Sequence, residues 1–146
     1  MYRIKILYPG KTKIRFIKEG IEHYFKLLYA YAKIDIIELK EAHGERQKVI
    51  QEESKTILNR VKNEFILLHE SGQLFNSIEF AKLIKNKSFH QFVIGGAYGV
   101  NDEVSNASEL IVSLSPLTFT HELTRLILLE QIYRAMTIIH GKSYHY

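Results

Sequence analysis

Two hydrophobic periods alternate along this chain, and each switch between them marks an element. From Tyr2 to Tyr8, Ile4 and Ile6 alternate with Arg3 and Lys5, the two-residue period of a strand. Pro9-Gly10 is a turn signal. From Ile14 to Tyr31 the period becomes helical. Ile14, Ile17, Ile21, Tyr24, Leu28 and Tyr31 are spaced by threes, fours and a final three, with Lys18, Glu19, Glu22 and Lys26 on the remaining surface. Ile34–Leu39 reads as a second strand. Arg46–Lys62 reads as a charged helix with a thinner stripe at Val49, Ile50, Ile57, Leu58 and Val61. Phe65–Leu68 is a short buried strand, and Ser77–Lys85 a short helix carrying Phe80, Leu83 and Ile84. Gln91–Ile94 is a fourth strand that runs into Gly95-Gly96. Leu110–Leu114 is a fifth that runs into Ser115-Pro116. Glu122–Ile139 is the last helix, with Gly141 as its C-terminal stop.

Strands separated by helices predict an α/β fold: a mostly parallel sheet flanked by helices, in one domain over residues 1–146. Such sheets bind ligands outside the carboxyl ends of their strands. The glycine loop after the fourth strand and the Ser-Pro loop after the fifth both stand at such ends. The last helix is apolar around most of its circumference, through Leu123, Leu126, Ile127, Leu128, Leu129, Ile132, Met136, Ile138 and Ile139. Its burial therefore needs a second cover besides the sheet, and a second subunit fits that need. Glu130, Arg134 and Thr137 form its one polar strip. Glu130 and Arg134 stand four apart, at ion-pairing distance.

Composition narrows the picture a little. The chain has no cysteine, which excludes a disulfide framework or a thiolate metal site and makes a cytoplasmic, reducing compartment the simplest setting. No apolar run is long enough to suggest a membrane span, and the N-terminus lacks the apolar core of a signal peptide. A net charge of +4, from 20 basic and 16 acidic residues, permits contact with nucleic acid without demanding it. The seven histidines form no compact metal-ligand pattern, so no metal is expected.

The most loaded segment is Phe92 to Gly99, FVIGGAYG. Its three glycines let backbone approach a ligand closely, or simply make a tight turn. It matches neither a Walker loop nor the dinucleotide fingerprint. Ser113 to His121, SLSPLTFTH, offers hydroxyls and free backbone groups before the last helix, with Thr120 as its N-cap. A serine hydrolase is excluded, because no nucleophile elbow is present and no acid is placed to orient His121. The terminal Tyr144-His145-Tyr146 is aromatic enough to stack on a base, and equally suited to fray.

From Phe92 onward the sequence resembles the RlmH family of SPOUT-class RNA methyltransferases, bacterial enzymes that methylate N3 of a pseudouridine in 23S ribosomal RNA. FVIGGAYGV, SLSPLTFTHEL, LLEQIYRAM and a chain ending in YHY carry the resemblance. KIDIIEL and FILLHESGQ extend it more loosely through the first half. The resemblance implies a C-terminal trefoil knot, a homodimer and S-adenosylmethionine as methyl donor. It places the cofactor at Leu68, at Gly95, Gly96 and Gly99, and at Leu114, Ser115, Pro116, Leu117, Thr118 and Phe119. It places the RNA end at Glu130, Arg134, Tyr144 and His145. There, Arg134 would bind phosphate or steady negative charge, His145 would accept or relay a proton, and Tyr144 would stack on or orient the base. The implied partner is 23S rRNA in the assembled ribosome, with another RNA such as tRNA, or a non-catalytic nucleotide-binding module, as the competing readings. The chain departs from the family pattern at Tyr146, where a basic residue is usual, at Thr120, where Pro is common, and at Pro116, where Lys or Ala is common.

Overall fold

The computed structural model describes residues 1–146. Strands and helices alternate throughout: β1 (Tyr2–Pro9), α1 (Arg15–Leu28), β2 (Ala32–Leu39), α2 (Arg46–Arg60), β3 (Ile66–Leu74), α3 (Ser77–Lys85), β4 (Phe89–Ile94), α4 (Asp102–Ala107), β5 (Leu110–Ser113) and α5 (His121–Ile139). The five strands form one sheet in the order β2-β1-β4-β3-β5. Every neighbouring pair is parallel.

Strand alternation sends successive residues to opposite faces, and each face has its own apolar core. Ile4, Ile6, Tyr8, Phe92 and Ile94 meet α1, α3 and α5 through Ile17, Phe80, Leu128 and Ile132. Leu7, Leu67 and Val93 meet α2 and α4 through Ile57 and Val104. Helices thus cover both faces, which is what an all-parallel sheet requires.

Two features depart from the sequence reading. Helix α4 had no predicted counterpart. Its sequence DEVSNA buries only Val104, too little to show a period. Its start is set by Asn101, whose side chain accepts from the Val104 N–H at 3.2 Å. Strand β3 also continues past Leu68 to Leu74 through the polar run HESGQ. Burial does not hold this extension. After a register shift between Leu68 and Gln73, it pairs again with β5. Gly72 is needed there, since a Cβ would stand 2.5 Å from the Ile111 carbonyl oxygen.

Helix α5 begins and ends as its caps dictate. Thr120 accepts from the Leu123 N–H. At the other end Gly141 has φ +65°. Its N–H bonds the Ile138 carbonyl, and that of Lys142 bonds the Thr137 carbonyl. This paired pattern is the Schellman stop, one residue beyond the cap residue His140. Thr120→Ala should cost about 1 kcal/mol of stability in urea denaturation, and no loss would mean that the cap is idle.

Two buried charges tie α5 to the start of the chain. The Glu122 carboxylate accepts from the N–H groups of Lys13 and Ile14, both at 3.0 Å. Arg125 is 1% exposed. It donates to the Pro9 carbonyl at 2.8 Å and to the Thr12 hydroxyl at 3.0 Å, and its guanidinium lies 3.7 Å from the Tyr8 ring centroid. Burial tends to raise the pKa of Glu122, but the two backbone N–H groups, Arg125 and His121 outweigh it and hold the carboxyl below its ordinary value.

Candidate functional site

The carboxyl ends of β4 and β5, with the first half of β3 beside them, open into a cavity of about 600 Å³. Three separate segments wall it. Leu68 comes from β3, Gly95, Gly96 and Gly99 from the turn after β4, and Leu114, Ser115, Leu117, Thr118 and Phe119 from the segment after β5. Of the residues expected at a cofactor, only Pro116 stays outside. It is exposed, although its neighbours Ser115 and Leu117 line the cavity.

Each wall is stiffened locally. The Gly99 N–H bonds the Gly96 carbonyl at 3.0 Å, and Gly99 takes φ +80°, so the glycine segment is a tight turn as well as a cavity wall. A Cβ on Gly95 would stand 3.1 Å from the Gly99 Cα. The loop after β5 is fixed by its own hydroxyls. Ser113 Oγ donates to the Ser115 carbonyl at 2.9 Å, and Ser115 Oγ accepts from the Leu117 N–H at 2.9 Å.

Sequence reasoning missed other parts of this cavity. Arg46, at the first turn of α2, lines it with its guanidinium 5.4 Å from the Tyr98 ring centroid. His69, Glu70, His121 and Thr124 also line it. Burial, then Arg125, lowers the pKa of His121, which favours the neutral ring. Arg46 gave no signal because it reads as one more cation on a charged helix. Glu53 lies on the same helix face seven residues on, buried against Gly96 behind the cavity wall.

Glu130, Arg134, Tyr144 and His145 form a second cluster. Arg134 binds Glu130 through Nε and Nη2, both at 3.2 Å. Its Nη1 is 3.1 Å from His145 Nδ1, and its guanidinium lies 4.7 Å from the Tyr144 ring centroid. The Tyr144 hydroxyl donates to Glu130 Oε2 at 3.1 Å, and Gln131 donates to Glu130 Oε1 at 2.9 Å. The tail is therefore anchored rather than frayed up to His145, whereas Tyr146 is fully exposed. Thr137, the third member of the polar strip, is buried and turns its hydroxyl back to the Arg134 carbonyl.

Protonation follows from these contacts. Arginine has only donors, so His145 Nδ1 accepts and the neutral ring carries its proton on Nε2. Burial raises the pKa of Tyr144, and bonds to Tyr24 and Glu130 raise it further, keeping a neutral phenol that donates. Glu130 is saturated by four hydrogen bonds, two from Arg134 and one each from Gln131 and Tyr144, and its bonds raise the pKa of Arg134.

The two clusters are neighbours without being one site. A second cavity of about 480 Å³ is lined by His145 and by Ser77, Ile127 and Gln131. It shares Leu114 and Phe119 with the first. Arg134, Tyr144 and Glu130 line neither. No helix is long and apolar enough to cross a membrane, and no group of three or more His, Asp or Glu residues is placed to hold a metal ion.

Comparison with known proteins gives a consistent picture. A family model described as "Predicted SPOUT methyltransferase" matches residues 2–145. A protein of Thermodesulfovibrio yellowstonii named ribosomal RNA large subunit methyltransferase H is 66% identical over 146 residues, covering 100% of both chains. An Acetivibrio thermocellus protein of the same name is 41% identical over 157 residues, covering 98% of this chain and 99% of its own. Among solved structures, a Haemophilus influenzae protein described as a probable methylase family protein has a TM-score of 0.56 at 10% identity. That match covers 99% of this chain and 70% of the other, and it bears on the fold alone.

Proposed function

Because the chain belongs to the SPOUT methyltransferase family, we propose that it transfers a methyl group from S-adenosylmethionine to N3 of a pseudouridine in 23S rRNA of the assembled ribosome. The observation that carries this reading is the junction of two strand-end loops and a stretch of β3 around one cavity, beside an arginine-centred cluster on α5 and the tail. The cavity suits the cofactor. Its volume falls in the usual range for a small-molecule site, a side chain on Gly95 or Gly96 would crowd Gly99 or Glu53, and Gly99 holds a positive φ. Leu68, Gly95, Gly96, Gly99, Leu114, Ser115, Leu117, Thr118 and Phe119 would hold it, largely through backbone groups and apolar walls. Bound there, S-adenosylmethionine supplies an activated methyl group on a sulfonium.

The chain's own work is to present the acceptor. The imide nitrogen gives up its proton to solvent water before it takes the methyl, and the Arg134 guanidinium stabilises the negative charge left on the base. Glu130 holds Arg134 and Tyr144 in place and has no lone pair to spare as a base. His145, with Nδ1 engaged, offers Nε2–H as a donor, so it orients the base while its Arg134 bond lasts. Tyr144 orients Arg134 by stacking.

Arg134, Tyr144 and Glu130 stand outside the cofactor cavity of their own chain, and Leu123, Leu126 and Ile127 of α5 are only half-buried. Phe16, Gly20 and Leu27 of α1 fall on one stripe, and Gly20 lies against Leu126. This shared apolar face supports a homodimer, closed around the C-terminal trefoil knot of the family. Sedimentation should give twice the chain mass, and a monomer at micromolar concentration would remove the dimer from this reading.

Incubation with radiolabelled S-adenosylmethionine and ribosomes lacking the modification, followed by nuclease mapping and mass spectrometry, tests the function. Label on N3 of one pseudouridine in 23S rRNA is expected. Label in tRNA alone, or none in a preparation that binds the cofactor, overturns the substrate.

A further inference from the structure

One buried group behind the cofactor cavity is unused by this account. Glu53 of α2 is 3% exposed. Its Oε2 accepts from the Ala42 N–H at 3.0 Å, while Oε1 has no hydrogen-bond partner. That bare oxygen stands where a Gly96 side chain would be. A Cβ built on Gly96 collides with it and lies 3.3 Å from the Glu53 Cδ. Gly96 lines the cavity, and the carboxylate packs against Gly96 without lining the cavity itself. Glu53 belongs to none of the ion pairs in the chain.

A buried carboxylate with a free oxygen and no cation is costly, and stability does not explain it. Nor is it needed to clasp the turn to α2, because its neighbours do that. Ser54 Oγ accepts from the Asn101 N–H at 3.0 Å, and Arg46 stacks on Tyr98. What remains is its charge. Resting on the function proposed above, we infer that Glu53 gives the cavity a preference for a positively charged cofactor, the sulfonium form, over the uncharged thioether left after transfer. Burial raises the Glu53 pKa. The Ala42 N–H opposes that rise, Glu41 adds to it, and His43 opposes it. A cation arriving in front of Gly96 favours the ionised form and offsets the effect of burial. Loss of that attraction after methyl transfer favours exchange of product for fresh donor.

The test is binding, measured by calorimetry on the free protein for S-adenosylmethionine, S-adenosylhomocysteine and an analogue with an ammonium in place of the sulfonium. The wild type should bind both cations more tightly than the thioether. A unit charge within roughly 10 Å, at an effective dielectric of about 20, changes an equilibrium by on the order of tenfold. Glu53→Gln keeps the shape, so it should weaken both cations by about that factor and leave the thioether within about twofold. Equal weakening of all three ligands overturns the inference and makes Glu53 a shaper of the turn. If Glu53→Gln fails to fold by circular dichroism, the wild-type series decides: cations no tighter than the thioether sink the idea. Wild-type protein that binds none of the three refutes instead the proposed function, a separate failure.

Discussion

Replacing Arg134 with Ala should lower methyl transfer by at least about 100-fold, with cofactor affinity changed less than about threefold. The asymmetry follows from where the side chain stands. Arg134 lines no part of the cofactor cavity, so donor binding has little to lose. On the acceptor side it joins Glu130, His145 and the Tyr144 ring, so its removal unties the whole cluster at once. Arg134→Lys keeps the charge but not the fork that grips both Glu130 oxygens, and should recover only a minor part of the rate. Single-turnover kinetics with saturating cofactor checks this. A rate within tenfold of wild type for Arg134→Ala would show that the guanidinium does not face the acceptor.

Arg125→Ala should cost about 3 kcal/mol of folding stability in denaturant titration. The change leaves a cavity, removes a stacked cation from Tyr8 and deprives the Pro9 carbonyl of its charged donor. Release of a buried charge offsets part of this, because the Nε of Arg125 is itself unpartnered. Arg125→Met, which fills the space without the charge, should recover about half of the loss. A cost below about 1 kcal/mol for the Ala variant would show that desolvation had cancelled the contacts.

Much of the architecture was legible because burial imposes a period. Ile4, Ile6 and Phe92 alternate along buried strands, and Ile17, Ile21 and Leu28 mark one helix face. The loops proposed to hold the cofactor were legible as glycine and Ser-Pro punctuation at strand ends, and the resemblance then joined them into one candidate site. What the sequence concealed depends on pairing across long separations. The HESGQ extension of β3 is held by hydrogen bonds to β5, which no local pattern records. Pro116 sits inside a lining segment yet turns outward, because a loop has no period to say which residue faces in. Arg46 and Glu53 read as ordinary surface charges. Their importance comes from the loop packed on them, more than forty residues later in the chain. The tie of His145 Nδ1 to Arg134 was equally hidden, since it joins the tail back to α5.

The tie between α5 and the first turn of the chain also bears on the route to the native state. Glu122 and Arg125 meet partners 108 to 116 residues away. The interior strand β1 likewise waits for β4 before it is paired on both edges. Until the last helix docks, Tyr8 lacks its cation and the N–H groups of Lys13 and Ile14 lack their acceptor. Closure over such separations is slow relative to local helix formation. The first half of this protein should therefore spend the early phase of refolding as loosely held strands and helices, and protection of the Lys13 and Ile14 amides from hydrogen exchange should appear only as α5 arrives.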